Sequence, residues 1–252
     1  MRLKDKVTLI SGASSGVGYS TALLFAKHGA KVYAIARRQN RLEELVEENK
    51  KENNPGEIIA IPADISKSED VDRVFDVIEK NDGKLDILIS NAGVMDKFEP
   101  VVNIKEEELD RILSINLKGP FRLIKKSIPL MKDGGSIVAT SSVASIRGGK
   151  AGTAYTVSKH ALNGLIKNTA AMYGNKKIRA NVVAPGGIET EILKNFENVD
   201  MEGMEIINNG AKVAKLTATA EEIANNILFL ASDESSNING AILVTDGGLT
   251  NI

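Results

Sequence analysis

The chain has 252 residues, 42% hydrophobic and 26% charged, an ordinary globular balance in a length that buries a core without a disulfide or metal staple. Its 32 Lys and Arg balance 33 Asp and Glu to a net charge of −1, which excludes the basic footprint of a nucleic-acid binder. With no cysteine, disulfides, thiolate chemistry and cysteine-ligated metals are excluded, and with only His28 and His160, far apart, no metal site is expected.

The first apolar stretch, Val7 to Ile10, is too short for the core of a secretion signal, and no run of about 18 apolar residues follows, so no membrane span is expected. The expected localisation is cytoplasmic. Short apolar runs of buried-strand length come next in chain order: Val7–Ser11, Val32–Ala36, Ile58–Ile61, Ile87–Ser90, Ser136–Thr140, Ile178–Ala184 and Ala241–Val244. Segments of helical period separate them. In Ser66–Lys80, Val71, Val74, Phe75 and Ile78 fall on one face. A helix is predicted over Asn40–Lys50, and Asn49 to Gly56 reads as a polar turn. Apolar strands alternating with helices predict an α/β fold: a doubly wound, seven-stranded parallel sheet of Rossmann type in three α/β/α layers, forming one domain over 1–252. Glu191 to Lys215 departs from the alternation. It follows the sixth strand, beyond the carboxyl ends where ligands bind in such sheets, and reads as a substrate lid (residues 190–215).

The first strand runs into Ser11-Gly12-Ala13-Ser14-Ser15-Gly16-Val17-Gly18, followed by a helical pattern. Strand, glycine turn and helix together make a phosphate cradle: Gly12 for the tight turn, Gly16 for approach of backbone N–H groups to a pyrophosphate, Gly18 for close helix–sheet packing. The spacing is Gly-x-x-x-Gly-x-Gly. A dinucleotide fold reads the adenosine ribose about 20 positions further on. There the chain has Ala36 followed by Arg37 and Arg38. A carboxylate would suit a bare ribose diol, whereas guanidinium groups clamp a phosphate, so NADP(H) is favoured over NAD(H).

The most specific pattern is Tyr155-Thr-Val-Ser-Lys159 within a helical stretch. Positions i and i+4 share a face, so the Lys159 ammonium is expected beside the Tyr155 phenol, lowering its pKa toward a value suited to acid/base work. Ser142 lies 13 positions earlier (155 − 142), at the carboxyl end of the fifth strand. Asn91-Ala92-Gly93 follows the fourth strand. Asn116 falls in the next helix, Asn181 to Thr190 contains Pro185, Gly186 and Ile188, and Asp246-Gly247-Gly248 lies near the end. In this order and spacing the motifs resemble the short-chain dehydrogenase/reductase family along essentially the whole chain.

The resemblance implies hydride transfer between a nicotinamide cofactor and a small-molecule ketone or secondary alcohol. Tyr155 would exchange the proton, Ser142 would hydrogen-bond the reacting oxygen, and Lys159 would hold the nicotinamide ribose. Asn116 would position a water in a proton relay. Asp64 and Ile65 would contact the adenine, Asn91, Ala92 and Gly93 would line the cleft, and Pro185, Gly186, Ile188 and Thr190 would hold the carboxamide. Ser14, Ser15, Val17 and the three turn glycines complete the expected cofactor site. A homotetramer is the implied assembly. An NAD(H)-preferring dehydrogenase and a nucleotide-binding regulatory protein without turnover are the alternatives.

Overall fold

The computed structural model describes residues 1–189, 199–209 and 217–251. Seven strands, β1 (Val7–Ser11), β2 (Lys31–Ala36), β3 (Glu57–Pro62), β4 (Ile87–Ser90), β5 (Gly135–Thr140), β6 (Ile178–Pro185) and β7 (Ile242–Thr245), lie within one residue of the predicted bounds. They form one parallel sheet in the order β3-β2-β1-β4-β5-β6-β7. The order reverses between β1 and β4, where neighbouring crossovers leave toward opposite sides and a crevice opens at the carboxyl ends.

Strand alternation sorts the core into two apolar layers. Leu9, Tyr33, Ile35, Ile137 and Ala139 face one side, packed with Val74 and Phe75 of α3 (Ser68–Asp82), Leu123 of α5 (Gly119–Ser127) and Leu162 and Ile166 of α6 (Thr153–Tyr173). Ile10, Val32, Ala34 and Val138 face the other, against Phe25 of α1 (Gly16–Lys27), Leu42 and Leu45 of α2 (Gln39–Lys51) and Ile223 and Ile227 of α8 (Ala220–Ala231). Each large side chain so buried stabilises the fold by roughly 1.5–3 kcal/mol.

α2 extends through the expected turn at 49–51. Asn49 is buried and its Nδ2 donates to the Gly56 carbonyl at 3.1 Å, so a polar residue serves helix and turn together. α4 (Glu106–Leu113) passes into α5 through a π-turn, Ser114–Lys118, which contains Asn116. Of the expected lid, residues 199–209 are described. They hold α7 (Met201–Asn209), and the remainder lies outside the described residues. Among the described residues no helix is long and apolar enough to cross a membrane.

Candidate active site

The glycine turn joins β1 to α1 below the crevice. Gly12 has φ +72°, and a Cβ there would come within 2.8 Å of the Ala92 backbone. A Cβ on Gly18 would collide with the Gly12 carbonyl oxygen, which explains how closely α1 seats on the turn. Ser15 is the N-cap of α1 in extended backbone and makes no side-chain cap, so the first N–H groups of the helix keep their affinity for an anion. Ser14 and Val17 are buried within this turn.

The structure brings Arg38 to the turn. Its guanidinium donates to Ser14 Oγ (3.1 Å) and Ser15 Oγ (2.7 Å), setting a fixed cation at the edge of the phosphate cradle. Arg37 is exposed at the end of β2, directly after Ala36. This ordering follows from alternation along extended backbone, which sends adjacent side chains to opposite sides.

Across the crevice, Asn91 stitches the two halves of the sheet. Its Nδ2 donates to the carbonyls of Ser11 (3.3 Å) and Gly12 (3.4 Å). Ser11 Oγ accepts from the N–H groups of Asn91 (3.1 Å) and Ala92 (3.2 Å). Gly93 leaves room beside the catalytic candidates: a Cβ on it would stand 3.4 Å from both Lys159 Nζ and Asn116 Oδ1.

Ser142, Tyr155 and Lys159 converge. Ser142 leaves the end of β5 as an N-cap, its Oγ accepting from Ala144 N–H at 3.1 Å, and it hydrogen-bonds the Tyr155 phenol. Lys159 is buried and donates to the Thr140 carbonyl at 2.9 Å, with its Nζ 5.4 Å from the Tyr155 ring centroid. Burial lowers the Lys159 pKa to about 8. The Tyr155 phenol behaves opposite to the expectation. Burial pushes it up to about 12, the Ser142 hydrogen bond pulls it down, and the Asp96 carboxylate raises it further. Desolvation of the phenolate therefore outweighs the Ser142 hydrogen bond.

Asn116 is buried with both ends of its amide engaged. Oδ1 accepts from Val94 N–H (2.9 Å), while Nδ2 donates to the Val94 carbonyl (2.8 Å) and to Ser158 Oγ (3.1 Å). Its side chain thus joins the π-turn to the segment after β4 and to α6.

The remaining expected positions also gather at the carboxyl ends. Asp64, just past β3, accepts from Ser66 N–H (2.9 Å) and Ser66 Oγ (2.7 Å), a local turn that fixes the loop. Ile65 is buried against Gly119, with its Cδ1 2.6 Å from where a Cβ on that glycine would be. Pro185 ends β6, Gly186 N–H donates to the Thr245 carbonyl (3.2 Å), and Ile188 pairs as an isolated bridge with Ala218. Thr190 lies outside the described residues. Sequence reasoning missed Ser11, Ser158 and Asp96. Ser11 is hidden in a strand pattern, Ser158 inside the Tyr-to-Lys spacing, and Asp96 in a loop without periodicity. Among the described residues no group of three or more His, Asp or Glu could hold a metal ion.

A dinucleotide fits these groups: a glycine cradle with helix N–H groups for its pyrophosphate, a guanidinium at the cradle's edge, and an open floor at Gly93 beside Lys159.

Comparison with known proteins points the same way. Residues 12–250 match a family model described as enoyl-(acyl carrier protein) reductase. The chain is 37% identical to 3-oxoacyl-(acyl-carrier-protein) reductase of Thermotoga maritima, covering 99% of each chain. It is 33% identical to 3beta-hydroxysteroid dehydrogenase of Mediterraneibacter gnavus, covering 99% of this chain and 96% of that one. Among solved structures, levodione reductase superposes with a TM-score of 0.87 at 32% identity, covering 98% of both chains.

Proposed function

Because the chain belongs to the short-chain dehydrogenase/reductase family, we propose that it interconverts a ketone and a secondary alcohol with NADP(H) in preference to NAD(H), Tyr155 exchanging the proton. NAD(P)-dependent oxidoreduction is the chemistry of the family, and this chain is an oxidoreductase of that kind. The observation that carries the finer reading is the cluster of half-buried Ser142 and Tyr155 with buried Lys159, whose Nζ lies beside Gly93 on the crevice floor.

When bound, the nicotinamide supplies or accepts the hydride. In reduction Tyr155 donates its phenolic proton to the carbonyl oxygen, and in oxidation it takes the proton from the alcohol. Ser142 donates a hydrogen bond to the same oxygen and steadies its developing charge. Lys159 holds the ribose hydroxyls and offsets the cost of the phenolate. Asn116 holds the backbone at Val94 and the hydroxyl of Ser158 behind Tyr155. The Arg38 guanidinium supports the NADP(H) preference, since it presents paired donors to a 2′-phosphate. The relatives named for 3-oxoacyl and hydroxysteroid substrates set the assay panel. A cavity of about 270 Å³ lined by Phe98, Pro100, Ala151, Val157 and Ile207 favours a partly apolar substrate. Residues 190–215 serve as its lid in this reading, with Gly203 of α7 seated against the Phe98 carbonyl. We also take the working form to be a cytoplasmic homotetramer; exposed Phe121 and Met172 on α5 and α6 support the assembly. A monomer by light scattering overturns that assembly.

The test is consumption of NADPH and NADH by the purified chain with this ketone panel. Turnover faster with NADPH is expected. No turnover with any ketone, and no reduction of NADP+ or NAD+ by the corresponding alcohols, favours the regulatory alternative.

A further inference from the structure

α6 begins without a cap of its own. Its N-cap is Gly152, which has no side chain to offer, and its first turn carries no acid. The free N–H groups are met instead by Asp96, a residue 59 positions from Tyr155 in the chain, on the loop after β4. One carboxylate oxygen accepts from Tyr155 N–H at 2.8 Å and the other from Phe98 N–H at 3.2 Å, and the N–H groups of Gly152 and Ala154 hydrogen-bond to the same group. The carboxylate is 1% exposed. A Cβ on Gly152 would collide with both of its oxygens, so the glycine is what lets the acid close on the helix. A second tie runs beside it, from Thr153 N–H to the Glu99 carbonyl at 3.0 Å. Phe98, between Asp96 and Glu99, has φ +65°, a backbone state that aromatic residues rarely adopt unless their surroundings hold them there.

We propose that Asp96 is a positioning residue for the proton exchange at Tyr155, its buried carboxylate clasping the first turn of α6 and setting both the place of the phenol and the charge that it faces. The role rests on the reading of Tyr155 as the acid/base group. A hydroxyl would cap the helix as well as a carboxylate does. A carboxylate adds a fixed negative charge close to the phenol, which favours the protonated form and so a proton donor ready for ketone reduction. The groups facing the phenol are the Ser142 hydroxyl from the end of β5, Lys159 from α6 itself and Asp96 from the loop after β4. Lys97 and Glu99 flank Asp96 on its own loop. The same loop continues from Gly93, which lines the crevice floor, so the clasp ties the cofactor side of the site to the proton-exchanging side.

Two variants test this in the full-length protein. Asp96→Asn keeps shape and drops the charge. Asp96→Ser keeps a capping oxygen and drops the charge, and serves where the first variant folds poorly. For each, kcat, KM and the pH dependence of ketone reduction are measured. Tyrosinate absorbance is titrated in parallel, with a Tyr155→Phe background subtracted to isolate this residue from the other three tyrosines. The expected result is kcat down by about tenfold with KM within about twofold, from misplacement of the phenol. The alkaline limb of the profile, and the tyrosinate midpoint with it, should move to lower pH by at least about half a unit, because removing a neighbouring anion eases ionisation. Variants that lose thermal stability while leaving both the profile and the midpoint at wild-type values reduce Asp96 to a structural cap and overturn the proposal. The tyrosinate titration needs no turnover, so an inactive wild type refutes the proposed function while the effect of Asp96 on Tyr155 is still measured.

Discussion

Lys159 Nζ stands over the ring of Tyr155, 5.4 Å from its centroid, while its hydrogen bond goes to the Thr140 carbonyl at 2.9 Å. The lysine is thus anchored to the sheet independently of the phenol. Replacing Tyr155 by Phe should leave Lys159 in place to hold the ribose. Turnover should fall by at least about a hundredfold, the range for loss of a general acid, with NADPH affinity within about threefold by fluorescence titration. Normal turnover in Tyr155→Phe sinks the acid/base assignment.

The burial of Lys159 has a consequence for stability. Its pKa is lowered from 10.5 to about 8 in the folded chain. Between those values the unfolded chain binds the proton and the folded chain does not, so the lysine's contribution to stability rises with pH across that window. Below pH 8 both states are protonated and the contribution is flat. Denaturant unfolding of wild type and Lys159→Met at several pH values should therefore show a difference that shifts in favour of wild type as pH climbs through the window. A pH-independent difference contradicts the burial argument.

Cofactor preference turns on the end of β2. Arg38→Ser removes the guanidinium from Ser14 and Ser15 and should weaken NADP(H) by about tenfold or more, since charge-assisted hydrogen bonds contribute about 1.5–3 kcal/mol, with NAD(H) within a few-fold. Arg37→Ser should cost less, because alternation along extended backbone turns that side chain away from Ser14 and Ser15, where Arg38 is held. Ala36→Asp should turn the preference toward NAD(H), offering a carboxylate to the ribose diol and repelling the phosphate. Isothermal titration with both nucleotides checks all three, and an unchanged ratio in Ala36→Asp and Arg38→Ser refutes the NADP(H) reading.

Gly18→Ala should be severe for one methyl group. The added carbon would meet the Gly12 carbonyl oxygen and Asn91 Nδ2, so either the turn or the stitch across the crevice must give way. Overpacking of this kind costs about 1–3 kcal/mol, and here it falls on the phosphate cradle as well. A lower melting temperature together with weakened binding of both nucleotides is expected. Wild-type binding in this variant contradicts the close seating of α1.

The sheet was legible in the chain because each strand is a short apolar run between turn signals, and burial on both faces leaves little room for other patterns. The Tyr155 and Lys159 pairing was legible because one helical turn separates them. Three features were not. Asp96 sits in a loop, and its partners on α6 become neighbours only when the sheet assembles. The expected water-positioning Asn116 lies in a π-turn, where a widened helical turn aims its amide at Val94 and Ser158. The direction of the Tyr155 shift was misjudged because helical spacing reports proximity to a cation and says nothing of dehydration, which dominates here.

Pairing between β1 and β4 runs from Thr8 with Ile87 to Ile10 with Ile89, whereas β2 and β3 stay in register from Lys31 with Glu57 to Ala36 with Pro62. Beyond Ile10 and Ile89 the two halves of the molecule are joined by amide and hydroxyl links from Ser11 and Asn91. The ligand-facing rim is in that sense sewn rather than packed. Its outline can be recut by exchanging a few polar threads while the oily layers beneath carry the weight, and one scaffold can be refitted for many guests without being rebuilt.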